Sequence, residues 1–368
     1  MLLAFGDLHF GECTYSKIDS EGFYTAELEC IKALDAIKER ASQDDIDIII
    51  FNGDFFHTNH PKIRLVKHAI GWFKEMDKLN KPFYIIPGNH DASVYSNALM
   101  FMHKLTLKNI HLIDQYNTAY FSINWNKFKI TFLPYVQDAL SKNKDTLTYD
   151  HVSNILSSLE DNSIVVAHIV EPAALQGSEA FMFSKKVQSV DLNTMSKFKN
   201  LIFLLGHIHR QQVYTKSNGA SVVYPGSLTY NDASDLNQQK GYIVIDNFGK
   251  INLETIPNIR KFQKYIVPTE ISAEDYLRSI RLPKNSVLFL ESDHDLEITK
   301  DLHDFLLTRD IIIGKITINA VGAPISECLF ATTDPYDVCA TYVKSRGLEN
   351  EQDYIDYCNA KITERIAI

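Results

Sequence analysis

Five short apolar runs in the first 210 residues are each followed, within three residues, by a polar residue that can bind a metal ion. The runs occupy residues 1–5, 46–51, 83–86, 164–167 and 201–205. A short, continuous apolar run is typical of a parallel strand that is covered on both faces. Such strands need a layer of structure on each side, and ligands of open α/β sheets lie beyond the carboxyl ends of the strands. The pattern therefore predicts an α/β fold whose chemistry lies along one sheet edge.

The polar residues at these ends are the types that hold metal ions in proteins. They are, in chain order, Asp7 and His9, Asp54, Asn89 with His90 and Asp91, His168, and His207 with His209. If the five ends converge, they gather carboxylates, an amide and several imidazoles around one point. If these histidines were only buried structural residues, their occurrence at successive strand ends would be a coincidence. Bridged metal ions, in contrast, require such a set of side chains.

The mixture of donors narrows the choice of metal. Carboxylate, imidazole and amide groups suit Mn²⁺, Fe²⁺ or Zn²⁺ better than an all-oxygen Mg²⁺ site. Asp54 stands alone at its strand end and suits a bridging position, and the pair His207 and His209 can point to the same side of a turn, one for each metal. Two metals about 3.5–4 Å apart would bind a hydroxide and clamp a phosphate for in-line displacement.

Composition is that of a folded enzyme, not of a disordered or membrane-spanning chain. The chain has 368 residues, enough for two domains, and is 45% hydrophobic. Its five cysteines have neither metal-knuckle nor disulfide spacing, and residues 1–5 lack the basic start of a signal peptide. We therefore expect a cytoplasmic protein without a membrane span. The net charge of −9 argues against tight unaided DNA binding, because phosphate contacts need local Lys and Arg.

Strands and helices alternate through about residue 255. Helices are predicted over 21–42 and 61–80, with Pro61 at the first helical position of the second. Apolar residues at helical spacing predict the core face of that helix, namely Ile63, Val66, Ile70, Phe73 and Met76. Residues 119–132 predict an antiparallel hairpin. The alternation indicates an α/β sandwich with sheets inside and helices outside.

Beyond about residue 257 the pattern changes. Two helices and two strands between 273 and 318 predict a small α+β domain, and the tail predicts two short helices. We expect three parts: a main domain of residues 1–258, an α+β capping domain of 262–333, and a helical segment of 334–368. The tail is a candidate docking surface for a partner, or it simply completes the second domain.

The ordered motifs resemble the calcineurin-like metallophosphoesterase superfamily, whose pattern is D-x-H, G-D, G-N-H-D/E, H and G-H-x-H. All of these elements are present in order. The resemblance implies a sandwich of two facing sheets with flanking helices. By the same resemblance, one metal is held by Asp7, His9, Asp54 and His209, and the other by Asp54, Asn89, His168 and His207. His90 is then a non-ligand that stabilises the transition state or protonates the leaving oxygen.

Further elements resemble the SbcD nucleases, which pair with the SMC-like ATPase SbcC. These elements are 53–57 with Pro61 shortly after, 224–228, and Arg260 with Phe262 before the second domain. By resemblance His57 is a second active-site histidine that positions DNA, although it could instead cap the Pro61 helix. Arg210 is a candidate phosphate contact. The chain departs from this branch in two respects, because it has no Gly before His168 and no long C-terminal linker. In these respects it resembles compact phage versions of the subunit.

The resemblance implies a metal-dependent DNA exonuclease and endonuclease that hydrolyses phosphodiesters with a two-metal-activated hydroxide, manganese being favoured. It would act in DNA repair, recombination and replication as a homodimer within a heterotetramer with an SbcC-type ATPase. Its place would be the cytoplasm, or the host cytoplasm for a phage protein. One alternative is a small-molecule phosphodiesterase or phosphomonoesterase of the same superfamily. The other is a metal-free scaffold on the same fold, which should have lost ligands.

Overall fold

A computed structural model describes residues 1–93, 96–114, 121–135, 159–176 and 198–318 of the chain. The described residues form three sheets, and the described α-helices pack against the first and the third. None of the described helices combines the length and the apolar character that a membrane span requires. The predicted helical segment of 334–368 lies outside the described residues.

The first sheet carries three of the predicted strand ends. Its strand order is β12-β11-β1-β2-β3-β4. The strands are β1 (Leu2–Phe5), β2 (Ile48–Asn52), β3 (Phe83–Ile86), β4 (Ile110–Leu112), β11 (Gly241–Ile245) and β12 (Ile251–Thr255). Strands β1 to β4 are parallel to one another, so their carboxyl ends share one edge, while β11 runs antiparallel to β1.

The second sheet carries the other two ends. Its order is β5-β6-β7-β8-β10-β9. The strands are β5 (Phe121–Trp125), β6 (Phe128–Leu133), β7 (Ser163–His168), β8 (Ile202–Gly206), β9 (Gln212–Thr215) and β10 (Ser221–Tyr224). Strands β6, β7, β8 and β10 are parallel, and β5 pairs antiparallel with β6. The predicted hairpin is thus confirmed.

The two sheets face each other across a shared apolar core. Alternate residues of β1 and β2, such as Ala4 and Ile50, pack against Ile130, Ile164 and Leu204 of the second sheet. The intervening residues of β1 and β2 point the other way, into a separate cluster with the first two helices. Because both faces of these strands are covered, their sequences are continuously apolar. The predicted α/β sandwich with sheets inside and helices outside is confirmed.

The second helix is rotated relative to its predicted core face. Helix α1 spans Thr25–Ser42 and helix α2 spans Ile63–Asp77, so Pro61 lies before the helix and not at its first position. The indole N–H of Trp72 donates to the carbonyl of Leu34 in α1 at 3.0 Å, which fixes the rotation of α2. The buried residues of α2 are Leu65, Ala69, Trp72, Phe73 and Met76. Ile63 is 87% exposed, so its assignment to the core was wrong.

The third sheet has the order β13-β14-β15, with β13 (Lys261–Ile266), β14 (Ser286–Ser292) and β15 (Ile311–Ile318). Helices Ala273–Ser279 and Lys300–Leu307 pack on it and close a separate apolar core. Each helix begins at a side-chain cap, Ser272 and Thr299. This α+β part lies within the same compact unit, Met1–Thr317, as the two large sheets. The boundary between 258 and 262 therefore stays a prediction.

Candidate metal centre

The loops after β1 and β2 run side by side and hold several predicted ligands in an unusual backbone conformation. The amide of Asp7 donates to the carbonyl of Gly53 at 2.9 Å, and the amide of His9 donates to that of Asp54 at 3.1 Å. The φ angles of Asp7, His9 and Asp54 are 47°, 50° and 58°, and that of His207 is 90°. Such left-handed residues cost about 1–3 kcal/mol each and concentrate at functional sites, where the surroundings enforce them.

One group of donor atoms lies between the two sheets at the end of β1. Asp7, His9 and His209 are all buried, and their ligating atoms lie within 4.8 Å of one another. The Nε2 atoms of His9 and His209 are 2.9 Å apart. Burial, reinforced by nearby positive groups, lowers the pKa of both rings well below the usual value. Both imidazoles are therefore neutral, which is the form that binds metal ions.

A second group lies at the ends of β2, β3, β7 and β8. Asp54, His168 and His207 bring ligating atoms within 4.8 Å of one another. The Oδ1 atom of Asn89 lies 3.0 Å from His168 Nε2 and 2.7 Å from His207 Nδ1. His168 Nδ1 donates to the carbonyl of Asn52 at 2.9 Å, so its Nε2 faces the group. A fixed tautomer of this kind is typical of metal-ligating histidines.

The pKa values within the second group are shifted in opposite directions. Burial lowers the pKa of His207 to about 3. For His168, burial alone would lower the pKa, but the Asp54 carboxylate outweighs it and raises the value to about 9. For Asp54, burial alone would raise the pKa, yet the neighbouring histidines hold it well below the usual range. Asp54 and His168 thus each shift the pKa of the other toward its charged form.

Asp54 lies between the two groups. Its Oδ2 atom is 3.7 Å from His9 Nε2 in the first group and 3.3 Å from His168 Nε2 in the second. One carboxylate oxygen therefore faces imidazole donors on both sides. This donor set, with carboxylate, imidazole and amide converging on a shared oxygen, fits a pair of divalent metal ions.

The two predicted catalytic histidines lie next to each other beside these groups. The ring centroids of His57 and His90 are 5.3 Å apart. His90 Nδ1 donates to the carbonyl of His57 at 2.7 Å, and the amide of His90 donates to Asp54 Oδ1 at 2.8 Å. His57 Nε2 lies 3.0 Å from a carboxylate oxygen of Glu12. His57 does not cap helix α2, because the residue at that position is Lys62.

Asp91 fixes the turn that carries Asn89 and His90. Its buried carboxylate accepts the amides of Phe55 at 2.9 Å, Phe56 at 2.8 Å and Gly88 at 3.1 Å. Burial and the nearby charge of Asp54 raise the pKa of Asp91 to about 6. Asp91 therefore joins the loop after β2 to the loop after β3, the two loops from which His57 and His90 project.

These groups open onto a cavity of about 200 Å³. It is lined by His9, Glu12, Thr14, Asp54, His57, His90, His207, His209, Asn231 and Asp232. The sequence interpretation missed four of them, Glu12, Thr14, Asn231 and Asp232, although the first two follow D-L-H and the last two follow the Tyr224–Leu228 element. Arg210 is exposed and is not among the residues that line the cavity.

An α/β sandwich with His and Asp donors gathered at its strand ends belongs to the class of metal-dependent hydrolases. The sequence model of the family described as calcineurin-like phosphoesterase matches residues 1–211. The chain belongs to this calcineurin-like phosphoesterase family. Membership implies a hydrolase that uses divalent metal ions.

Curated relatives of the chain include proteins named as nucleases and repair proteins. It is 26% identical, over 58% of its length, to the D component of the nuclease SbcCD from Staphylococcus epidermidis, and it covers 59% of that protein. It is 22% identical, over 59% of its length, to the DNA double-strand break repair protein Mre11 of Archaeoglobus fulgidus, and it covers 52% of that protein. A protein of the same name from Sulfolobus acidocaldarius is 21% identical over 96% of this chain and 93% of its own. The first two matches thus span little more than half of each relative.

Proposed function

We propose that the chain is a metal-dependent DNA nuclease with exonuclease and endonuclease activity. The observation that carries the proposal is the position of His57 and His90 at one cavity with both donor groups. Two relatives whose names describe a nuclease and a break-repair protein support DNA as the substrate. The scaffold alternative is disfavoured because every ligand of the family pattern is present.

In this proposal the predicted ligands are divided between two metal ions as the family resemblance implies. Asp7, His9, Asp54 and His209 would hold one ion, and Asp54, Asn89, His168 and His207 the other. When bound, manganese or a similar ion would supply the positive charge that clamps a phosphate and lowers the pKa of a bound water. The remaining chemistry falls to the chain itself.

His90 is suited to hold a proton at the leaving oxygen. Its Nδ1–H is committed to the carbonyl of His57 at 2.7 Å, which leaves Nε2 as the nitrogen that can bind or release a proton. His57, paired with Glu12 at 3.0 Å, is suited to orient the substrate strand beside it. Arg210 follows His209 directly and is exposed, so it is available to a phosphate outside the cavity.

The proposal extends to a partner. We infer that the chain is the nuclease component of an SbcC–SbcD-type complex in DNA repair, recombination and replication, acting with an SMC-like ATPase. The name of the Staphylococcus epidermidis relative, which places it in the nuclease SbcCD, supports this inference. The homodimer within a heterotetramer, and docking of the ATPase on residues 334–368, stay predictions, because that segment lies outside the described residues.

A second candidate is a phosphodiesterase or phosphomonoesterase that acts on small molecules. It is favoured by the size of the cavity, about 200 Å³, which suits a small phosphate ester. The net charge of −9 also favours a small substrate over DNA, because the negatively charged protein would repel a polyanion.

A cleavage assay separates the candidates. End-labelled duplex and single-stranded DNA are incubated with Mn²⁺ and with wild type, His90→Asn or His60→Asn; His60 is exposed and three residues from His57. The nuclease proposal expects Mn²⁺-dependent cleavage that falls by about 10²–10⁴-fold in His90→Asn and is unchanged in His60→Asn. Intact DNA with rapid hydrolysis of bis-p-nitrophenyl phosphate would overturn it in favour of the small-molecule enzyme.

A further inference from the structure

Lys240 is a fully buried cation directly behind His209. Its Nζ lies 2.8 Å from Asp235 Oδ1, and both side chains have 0% exposure. The same Nζ donates to Ser227 Oγ at 2.8 Å and to the backbone carbonyl of His209 at 3.2 Å. Removing both ions from water carries a large desolvation cost that their attraction and hydrogen bonds only offset, so a buried pair is weak evidence for a stabilising role. This pair calls for an explanation in terms of what it holds in place.

The contacts of Lys240 converge on the turn that carries His209. The amide of Ser227 donates to the carbonyl of His209 at 3.0 Å, so Lys240 and Ser227 share that oxygen. The other oxygen of Asp235 accepts the amide of Asn231 at 2.8 Å. The side-chain amide of Asn231 lies 3.4 Å from His209 Nδ1. One ammonium group thus ties together the backbone of a predicted ligand and the loop that contacts its ring.

We propose that Lys240 is a positioning residue of the metal centre, which holds the His209 imidazole where a divalent cation binds. The inference rests on the proposed metal centre and adds a residue outside the family's ligand pattern. Ligands must be held within about 0.5 Å of their productive positions by the groups around them. Removing such an outer group typically weakens metal affinity about 10–100-fold. Lys240 acts through His209 and its loop, and does not line the cavity itself.

The chain provides a matched control. Lys216 is also a buried lysine paired with a carboxylate, Glu171, at 2.6 Å. Glu171 also accepts the hydroxyl of Tyr214, and its amide donates to the hydroxyl of Tyr224. Neither Lys216 nor Glu171 lines the cavity. A change at Lys216 therefore removes a comparable buried pair that, within the described residues, makes no hydrogen bond to the His209 turn.

The test measures binding of Mn²⁺ alone to the full chain, after chelation, by calorimetry and by electron paramagnetic resonance. Wild type, Lys240→Met and Lys216→Met are compared, with thermal unfolding in chelator as the measure of stability. We expect Lys240→Met to lose about 10–100-fold in Mn²⁺ affinity and to replace the spectrum of coupled manganese ions with that of an isolated ion. Lys216→Met should bind Mn²⁺ as wild type does, even where it unfolds at an equally lowered temperature.

Two further variants cover the case in which Lys240→Met does not fold. Lys240→Arg keeps the charge, and Ser227→Ala removes one bond to Lys240 while leaving its pair with Asp235. If Lys240→Met folds, both variants should bind Mn²⁺ more tightly than Lys240→Met does. If Lys240→Met does not fold, both should bind Mn²⁺ more weakly than wild type.

Equal Mn²⁺ affinity in Lys240→Met and wild type, or an equal loss in Lys240→Met and Lys216→Met, would overturn the role of Lys240. If Lys240→Met does not fold, wild-type affinity in both Lys240→Arg and Ser227→Ala overturns it as well. A wild-type protein that binds no Mn²⁺ would overturn the metal centre and this role together. A protein that binds Mn²⁺ in a Lys240-dependent way but leaves DNA intact would overturn the nuclease proposal only.

Discussion

Single residues at the strand ends pack so closely that a methyl group would not fit. A Cβ atom on Gly88 would lie 2.1 Å from Asp54 Oδ1 and 2.5 Å from the Asp54 amide. The glycine therefore lets the turn with Asn89 and His90 approach the carboxylate that faces both donor groups. We expect Gly88→Ala to displace Asp54 and to weaken Mn²⁺ binding at least 10-fold by calorimetry.

The control for Gly88→Ala is Gly71→Ala in helix α2. No heavy atom lies within 4 Å of a Cβ built on Gly71. Alanine should stabilise the helix there by about 1 kcal/mol and leave Mn²⁺ binding unchanged. Wild-type Mn²⁺ affinity in Gly88→Ala would show that Asp54 is not held by this close approach.

The two cysteines of the described residues differ in burial. Burial raises the pKa of the Cys30 thiol from 9.0 to about 12, while Cys13 is exposed. At pH 8 only about one Cys30 thiol in ten thousand is ionised, and the thiolate is the reactive form. We expect iodoacetamide to alkylate Cys13 in the native protein and to spare Cys30, as read by mass spectrometry of the peptides.

The same shift sets a dependence on pH. Because the folded pKa of Cys30 is raised, the neutral thiol favours the fold below about pH 9, and this contribution is lost as pH rises toward about 12.

In urea, where the fold is lost, both cysteines should react with iodoacetamide. Equal labelling of Cys13 and Cys30 without urea would contradict the burial of Cys30.

At the scale of the elements, the strands could be predicted and the orientation of helix α2 could not. A strand covered on both faces appears in the sequence as an unbroken apolar run, and its end is marked by the first polar residue. The rotation of α2 depends instead on the bond between Trp72 and Leu34, which no local pattern contains. Lys240 escaped prediction for the same reason, since its partners Ser227 and Asp235 matter only after the chain has folded.

The orientation of α2 has a measurable consequence. Phe73 is fully buried and Ile63 is 87% exposed, although both belonged to the predicted core face. Phe73→Ala should lower the free energy of unfolding by about 3–5 kcal/mol, because it leaves a cavity in the core. Ile63→Ala should change it by less than about 0.5 kcal/mol. Urea denaturation measures both free energies of unfolding. A large decrease in Ile63→Ala would show that Ile63 belongs to the core face, as the sequence predicted.

Across the whole molecule, the α+β part contacts the neighbours of two residues that line the cavity. The ring of Phe262 in β13 packs against Tyr15, with centroids 5.6 Å apart, and against Tyr230 at 5.4 Å. Tyr15 follows Thr14 and Tyr230 precedes Asn231, and both of these neighbours line the cavity. The third sheet therefore supports the two segments that bound the proposed substrate site.

The proposed metal centre also joins the two large sheets. Asp7, His9 and Asp54 follow strands of the first sheet, whereas His168 and His209 come from the second. A cation bound only in the folded state stabilises it by about 2.7 kcal/mol at a concentration 100 times its Kd. Mn²⁺ should therefore raise the unfolding temperature of the wild-type chain by several degrees in calorimetric scans.

Asp54→Asn is the decisive comparison for this effect, because its Oδ2 faces histidines from both donor groups. The variant replaces the shared carboxylate with a neutral amide and so removes the negative charge that faces both donor groups. Its unfolding temperature should be the same with and without Mn²⁺, whatever its value in chelator. An equal rise in Asp54→Asn and wild type would mean that Mn²⁺ binds elsewhere on the acidic chain and not at the proposed metal centre.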